Sequence, residues 1–215
     1  MIKLSAFRAL PPFAKGLARD MRVRWALEEA GLAYETMLVG GDDERNAPAY
    51  RALQPFGQVP AIDDGGFTLF ESGAIVMRIA EKSKTLMPQD PEARSRAIAW
   101  MFAALNTIEP HVQNLTILDL FYPNEDWAKQ RRPRALELAQ SRLDSLSAWL
   151  KDREYLEDRF TAADLLMTTV LQIPRHCDLI AKMPALDSYR LRNEARPAFK
   201  RALEAHMADF ERAAA

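Results

Sequence analysis

The sequence has a single cysteine, Cys177, among its 215 residues. One thiol cannot close an internal disulfide bond or supply a cluster of thiolate ligands, which predicts a protein without a metal centre. The chain also lacks an unbroken apolar run of the roughly 18 residues that a membrane-spanning helix needs. Its N-terminus has no apolar core of a secretory signal, because Arg8 and the pair Pro11–Pro12 interrupt it. These absences predict a cytoplasmic protein with no membrane partner.

An excess of charge of either sign is missing as well. Lysine and arginine together number 29 and aspartate and glutamate 30, so the formal net charge is −1. Proteins that bind nucleic acids usually carry a strongly basic surface, because they must neutralise phosphate groups. The balance therefore argues against a nucleic-acid partner. With 48% hydrophobic residues, the chain is long enough to bury the core of one large domain or of two small ones.

The N-terminal part alternates strand and helix patterns. Between Val23 and Ala30, apolar residues recur at the spacing of one helix face, opposite Arg22 and Arg24, and Gly31 follows where a C-terminal cap is expected. The turn-forming run 63–66 separates two short apolar segments, as in a β-hairpin. Residues 1–82 are therefore predicted to form a small α/β domain. Its predicted elements are strand Ile2–Phe7, a helix established by Asp20, strand Leu32–Val39, turns over 40–48, hairpin strands Gln58–Ile62 and Phe67–Phe70, and a helix from Ser72.

No strand pattern follows the proline-containing stretch 83–91, which is predicted to be a linker. Residues 92–215 are predicted to form an all-helical domain. Pro110 is expected to kink its first helix, because proline has no N–H group to donate. Pro133 is expected to open a later helix, where the missing N–H costs nothing. The predicted helical stretches are Glu92–Leu120, Pro133–Leu150, Thr161–Ile173 and Pro184–Met207.

The tripeptide Gln58-Val59-Pro60 places a proline at the start of a predicted strand beside the hairpin. In this order of elements it resembles the cis-proline loop of thioredoxin-type domains. Such a loop presents the N–H and C=O groups of Val59 to an extended peptide, which can pair with them as one more strand would. Taken alone, the tripeptide is equally compatible with an ordinary turn that enters an edge strand, because few X–Pro bonds are cis.

The segment from Glu71 to Ile75 opens a predicted amphipathic helix. Ser72 suits an N-cap position, and capping alone would account for it. A helix N-terminus with a hydroxyl and N–H groups also holds a carboxylate, and the neighbouring Glu71 can take an ammonium group. Together the two residues match a zwitterionic amino-acid head group. By contrast, Thr161 and Asp164 form a capping box whose structural role is complete without a ligand.

In order and spacing, these segments resemble the glutathione transferase superfamily, in its cytosolic, bacterial-like form, over essentially the whole chain. The resemblance implies a thioredoxin-like N-terminal domain that binds glutathione as a co-substrate. It implies in addition a C-terminal helical bundle domain that helps to shape an apolar pocket, and a homodimer. The segments that carry the resemblance are Arg22–Glu35, Gly57–Pro60, Glu71–Ile75, Leu86–Pro88 with Asp90–Pro91, the Thr161–Asp164 box, Pro184–Leu186 and Arg196–Phe199.

The resemblance also implies roles for individual residues. Val59 is expected to bind the cysteinyl backbone of glutathione, and Glu71 with Ser72 to hold its γ-glutamyl head. Gln58 and Pro60 complete the implied glutathione-binding set. A small hydrophobic electrophile is the implied second substrate. The residues expected to line its pocket are Phe13, Leu17 and Leu105.

The sequence departs from the family where the glutathione thiol is activated. Members usually place a tyrosine, serine or cysteine after the first strand, but Phe7–Asp20 contains no residue with a hydroxyl or thiol group. Counting six residues back from Val23 reaches Leu17, and another alignment reaches Pro11; neither side chain can donate a hydrogen bond. A free thiol has a pKa of about 8.5 and needs help to ionise near neutral pH. The catalytic candidates are helix N–H groups, Arg19 and Lys15, unless the two cations are solvated surface charges.

Three functions follow as hypotheses. The first is an enzyme that transfers the thiolate of glutathione to a small apolar electrophile. The second is a non-catalytic glutathione-binding or scaffold protein, which the missing hydroxyl favours. The third is a glutathione-dependent isomerase or peroxidase, although the Ser-Ser-Cys run of the isomerase subgroup is absent from this sequence.

Overall fold

The structure is a computed structural model that describes residues 1–214 of the chain. Ala215, which the predicted helical domain includes, lies outside the described residues. Of the helices in the described part, none has both the length and the apolar composition that crossing a membrane requires.

Contacts divide the chain into two compact units. One consists of Met1–Met87 with the residues from Arg196 onward, and the other of Pro88–Ala195. The boundary after Met87 falls inside the predicted linker 83–91. The last helix, however, groups with the N-terminal residues and not with the other C-terminal helices.

A mixed four-stranded sheet forms the centre of the first unit. Its strands are β1 (Ile2–Phe7), β2 (Tyr34–Val39), β3 (Ala61–Asp64) and β4 (Phe67–Phe70). They lie in the order β2-β1-β3-β4, with β1 parallel to β2 and the other neighbouring pairs antiparallel. This is the predicted thioredoxin-like arrangement. β3 begins after the Gln58–Pro60 corner and not at Gln58, so the corner lies outside the strand.

Helices flank the sheet and build the second unit. In chain order they are α1 (Asp20–Ala30), α2 (Asp42–Asn46), α3 (Pro48–Leu53), α4 (Ser72–Ala80), α5 (Pro91–Phe102), α6 (Glu109–Phe121), α7 (Asp126–Leu150), α8 (Ala162–Leu171), α9 (Pro184–Glu194) and α10 (Pro197–Ala214). α1 ends as predicted at Gly31, whose φ of 65° is left-handed and costs glycine no steric penalty. Within the first unit α10 lies along α1, where the Phe199 ring meets the buried Trp25 ring edge-on at 4.9 Å.

The first unit contains two short helices that the sequence pattern does not predict. Residues 40–48 are predicted as turns, but α2 forms within this stretch and α3 follows it. Helices this short are unstable alone and depend on tertiary contacts. Tyr50 of α3 supplies one, because it is buried in a cluster with Val39 and Val59. Tertiary packing has thus overridden a polar, turn-rich local sequence.

The second unit departs from prediction at both of its marked prolines. The predicted helix Glu92–Leu120 is interrupted by a π-helical segment, Ala103–Ile108, which ends just before Pro110. The prediction that Pro133 opens a helix is wrong, because α7 begins at Asp126 and contains Pro133 in its interior. Packing explains the earlier start: Ala128, Ala135 and Leu118 of α6 form one buried cluster.

The predicted capping box at the start of α8 is confirmed. Thr161 Oγ1 accepts a hydrogen bond from the N–H of Ala163 at 3.2 Å, and Asp164 Oδ2 accepts one from the N–H of Thr161 at 2.9 Å. Every residue of α8 is buried. The box therefore starts the most deeply buried helix of the second unit.

Candidate functional site

Three segments of the first unit lie at the same end of the sheet, where β1 ends, β3 begins and β4 ends. Ala61 pairs with Phe70, so the residues just before β3 and just after β4 leave the hairpin at the same end. β1 runs antiparallel to β3, with Leu4 opposite Ile62, so the C-terminal end of β1 lies at that end of the sheet as well. The segments gathered there are the loop that follows Phe7, the Val59–Pro60 corner and the Glu71–Ser72 helix start.

The Val59–Pro60 peptide bond is cis, as the resemblance to thioredoxin-type domains implies. The Val59 side chain is buried with Val39 and Tyr50, whereas Gln58 is exposed. Within the described part of the chain, neither the N–H nor the C=O group of Val59 has a hydrogen-bond partner. The corner thus combines an anchored side chain with main-chain groups to which an extended peptide can pair.

Two buried hydroxyl groups brace this corner on both sides. Tyr50 Oη donates to the carbonyl of Gln58 at 2.6 Å, and the N–H of Ala61 donates to Ser5 Oγ at 2.7 Å. The two hydroxyl oxygens lie 2.9 Å apart. Because Tyr50 donates its proton to Gln58, the Ser5 hydroxyl donates to Tyr50 Oη, which completes a chain of hydrogen bonds from the Ala61 N–H to the Gln58 carbonyl. Burial raises the pKa of Tyr50, which keeps its hydroxyl a donor. The sequence gives no signal for this brace, because the two residues are 45 positions apart.

Glu71 has a strained backbone at the start of α4. Its φ of 69° and ψ of 113° lie outside the small left-handed region open to side-chain-bearing residues. Such a conformation costs on the order of 1–3 kcal/mol and is concentrated at binding and catalytic sites. The Glu71 side chain is exposed. This strain agrees with a ligand-binding role, which stays a prediction for the residue.

Ser72 is not the N-cap that its sequence context suggests. Glu71 occupies the cap position, and in the described chain no side-chain hydrogen bond caps α4. Ser72 Oγ instead accepts a hydrogen bond from Arg22 Nη1 at 3.3 Å, and both side chains are buried. The hydroxyl proton of Ser72 can therefore be donated to a carboxylate at the helix N-terminus.

Arg22 contacts Ser72 at the candidate site, and its burial is not what the sequence pattern predicts. Helical periodicity puts Arg22 and Arg24 on the polar face of α1, yet they are only 4% and 1% exposed. Buried arginines require hydrogen-bonding partners, and Arg22 finds one in Ser72. Long cations on an amphipathic helix look the same in sequence whether they are solvated or buried, so no local signal distinguishes them.

The predicted cations lie in the loop between β1 and α1. Arg19 is exposed and directly precedes α1. The Lys15 ammonium lies over the ring of Phe210 on α10, 4.9 Å from its centroid, in a cation–π contact. Lys15 is therefore held against α10, whereas Arg19 stands at the N-terminal end of the helix. Their catalytic roles stay predictions.

The residues predicted to line an electrophile pocket fall in both units. Phe13 belongs to a 3-10 turn over Pro12–Ala14 and is 41% exposed. Leu17, in the same loop, is half-buried. Leu105 is half-buried in the π-helical segment of the second unit. Their shared role as pocket lining stays a prediction.

A buried network of charged side chains links α1 to α10. Arg24 Nε donates to Asp20 Oδ2 at 2.8 Å, and its Nη2 donates to Asp209. His206 Nδ1 lies 3.1 Å from Asp20 Oδ2. Burial alone would raise the pKa of Asp20, but the hydrogen bond with His206 and the charge of Arg24 lower it. Asp20 is therefore an anion at neutral pH.

Comparisons with known proteins show which family this chain resembles. A family model described as "Glutathione S-transferase, N-terminal domain" matches residues 14–81. The chain is 34% identical over 167 residues to glutathione S-transferase F9 of Arabidopsis thaliana, which covers 73% of this chain and 76% of that protein. It is 32% identical over 204 residues to a glutathione S-transferase of Hyoscyamus muticus, with 86% of this chain and 92% of that protein covered.

A solved structure extends the similarity to the three-dimensional level. A glutathione transferase from Burkholderia graminis, crystallised with two glutathione molecules bound per subunit, is 29% identical to this chain with a TM-score of 0.81. The match covers 94% of this chain and 87% of that one. The likeness therefore includes the helical second unit as well as the residues that the family model matches.

Proposed function

We propose that this chain, which belongs to the glutathione transferase family, binds glutathione and transfers its thiol to a small apolar electrophile. One observation carries the proposal. The unpaired main-chain groups of Val59 and the Glu71–Ser72 helix start leave the β3–β4 hairpin at the same end. A tripeptide with a γ-linked amino-acid head matches both: its extended backbone can pair with the main chain of Val59, and its zwitterionic end can bind at the Glu71–Ser72 helix start.

Each part of glutathione meets a complementary group in this proposal. The cysteinyl N–H and C=O groups pair with the main chain of Val59, as a strand pairs with a sheet edge. The γ-glutamyl ammonium meets the Glu71 carboxylate, and the γ-glutamyl carboxylate meets the Ser72 hydroxyl and the N-terminus of α4. Gln58 and Pro60 shape the corner. Glutathione bound to the Burkholderia graminis transferase supports this choice of ligand.

The chemistry proposed is nucleophilic attack by the thiolate. The thiol proton leaves to solvent, a carbon–sulfur bond forms, and for an aryl halide the carbon–halogen bond breaks and halide departs. Alignment of two bound reactants supplies several kcal/mol of the rate enhancement. The thiolate itself needs a positive environment near the start of α1, for which Arg19, Lys15 and the helix N–H groups are the candidates. A homodimer in the cytoplasm is the proposed working form.

The ammonium contact of Glu71 gives a direct test of glutathione binding. We expect Glu71→Gln to weaken the affinity for glutathione about tenfold, because the ammonium group loses an anionic partner and keeps only a neutral acceptor. Gln has the same shape, so the backbone strain at this position is retained. The measurement is the dissociation constant by titration calorimetry.

Glu35→Gln is the matched control for this test. Glu35 is an exposed acid of β2 whose charge pairs only loosely with Lys3, at 3.9 Å, so the affinity for glutathione is expected to stay unchanged. An equal affinity in all three proteins would remove Glu71 from the head-group site. Failure of the unaltered protein to bind glutathione would sink the proposed function.

Thiol activation is tested by titrating bound glutathione through its thiolate absorbance. We expect Arg19→Ala to raise the apparent thiol pKa by about 1, because a nearby cation favours the anion. Lys15→Ala is the comparison, and its effect is expected to be smaller because the Lys15 ammonium lies against Phe210. A titration that neither substitution moves would leave the helix N–H groups as the stabilising element.

A non-catalytic glutathione-binding or scaffold role is the second candidate. The lack of any hydroxyl or thiol side chain between Phe7 and Asp20 favours it. The two functions are separated by retention on immobilised glutathione followed by an assay with a chlorodinitrobenzene. Retention without turnover would select the scaffold, and turnover would select the enzyme.

A further inference from the structure

The C-terminal helix, α10, contacts the loop between β1 and α1 through one buried histidine. His206 of α10 is 1% exposed. Its Nε2 accepts a hydrogen bond from the N–H of Gly16 at 3.1 Å, across 190 positions of sequence. Gly16 has a φ of 80° and lies between Lys15 and Leu17, in the loop that joins β1 to α1. The loop that carries both predicted cations is thus tied to the end of the chain.

The hydrogen bonds around His206 determine its tautomer. Because Nε2 accepts a hydrogen bond from the Gly16 N–H, that nitrogen carries no proton. The proton of the neutral ring is therefore on Nδ1. Nδ1 donates to Asp20 Oδ2 at 3.1 Å. Asp20 is in turn held by Arg24, which also binds Asp209. Asp20 faces the ring directly, Arg24 and Asp209 are linked to the ring through Asp20, and Lys15 lies over Phe210, whose own ring contacts the imidazole.

A second contact from α10 holds the same loop. Phe210, one helical turn beyond His206, meets the imidazole ring edge-on at 4.8 Å. The Lys15 ammonium lies over the Phe210 ring. Two consecutive loop residues, Lys15 and Gly16, are therefore fixed by two consecutive turns of α10.

We propose that His206 is a positioning residue for thiol activation. Its unprotonated Nε2 fixes the Gly16 N–H, and thereby sets where the start of α1 and Arg19 stand relative to the glutathione sulfur. Asp20 acts in the same system by orienting the imidazole, as a carboxylate does for a histidine that must keep one tautomer. This inference rests on the proposed function, because it concerns the thiol of bound glutathione.

Two substitutions separate the acceptor role of His206 from its packing role. His206→Gln places a carbonyl oxygen near the former Nε2 and keeps an acceptor for Gly16. His206→Asn places an amide donor near the former Nδ1 and keeps the bond to Asp20, but it is too short to reach Gly16. We expect the Asn variant to lower kcat with a chlorodinitrobenzene about tenfold and to raise the thiol pKa by about 1, with little change in the KM for glutathione. The Gln variant is expected to stay close to the original protein in all three.

Hydrogen exchange of the Gly16 amide gives a readout without glutathione. It should accelerate in His206→Asn and stay slow in His206→Gln. Equal losses in both variants, or thiol pKa values unchanged in both, would overturn the inference while leaving glutathione binding in place. A protein that neither binds nor turns over glutathione would instead overturn the proposed function, and the role of His206 would fall with it.

Discussion

Arg24→Met is expected to lower the free energy of unfolding by about 3–5 kcal/mol, because it removes the cation from a buried charge network. Arg24 is 1% exposed and binds two carboxylates, Asp20 and Asp209, which are themselves nearly inaccessible. Methionine fills a similar volume, so the loss measures electrostatics more than packing. Asp20 would lose its guanidinium partner, and Asp209 would keep its ion pair with the exposed Arg212. Urea denaturation followed by circular dichroism is the measurement.

Two further variants make the result specific. Arg134→Met removes an exposed arginine paired with Glu137, and it should change the stability by less than about 0.5 kcal/mol. Adding Asp20→Asn and Asp209→Asn to Arg24→Met should recover much of the loss, because neither buried side chain then carries a charge that needs the guanidinium. If Arg24→Met lost no more than Arg134→Met, the network would not stabilise the fold.

Asp164→Ala is expected to cost a similar amount, about 3–5 kcal/mol, which exceeds the roughly 0.5–2 kcal/mol of a simple helix cap. The carboxylate accepts four hydrogen bonds, from the N–H groups of Leu156 and Thr161, from Thr161 Oγ1 and from Tyr189 Oη. Asp164 and Tyr189 are 0% and 1% exposed. Without the carboxylate, buried donors lose their acceptor, and each such loss costs about 1–3 kcal/mol.

Asp144→Ala is the control that removes the same kind of carboxylate at an exposed position, so the difference between the two variants in unfolding free energy measures the effect of burial. Asp144 is exposed and accepts a hydrogen bond from the half-buried Gln140 on α7, so its loss should change the unfolding free energy by less than about 0.5 kcal/mol. Asp164→Asn should fall between the two, because one oxygen still accepts from Leu156 and Tyr189. A small loss for Asp164→Ala would mean that water replaces the carboxylate at these donors.

Much of the local structure at the candidate site was predictable, because the sequence signals for it are local. A proline at a strand start, an acid–serine pair before an apolar helix and a two-glycine hairpin are each read within a few residues. The Thr161–Asp164 box was predictable for the same reason, since both partners lie on one helical turn. The roles of these residues toward a ligand are a separate matter, and they wait on the binding and titration experiments.

The residues that brace the site were not predictable. Ser5 and Tyr50 meet from 45 positions apart, and Arg22 reaches Ser72 across 50. Sequence periodicity marks Arg22 as solvated, because it shows which face of a helix is apolar and cannot show that α1 is packed on its polar side as well. The start of α7 is misjudged for a related reason, since packing against α6 outweighs the local preference of Pro133.

By itself, the sequence determined the four strands and the two longer helices that follow β1 and β4, the corner at Val59–Pro60, the cap at Gly31 and the Thr161–Asp164 box, because backbone stereochemistry and hydrophobic period act over a few residues. The tertiary structure alone decided that α10 joins the first unit, that Arg24 is buried between two carboxylates and that His206 holds Gly16. Those contacts join residues up to 190 positions apart. Their partners are chosen by packing and desolvation in the folded chain, which no local pattern encodes.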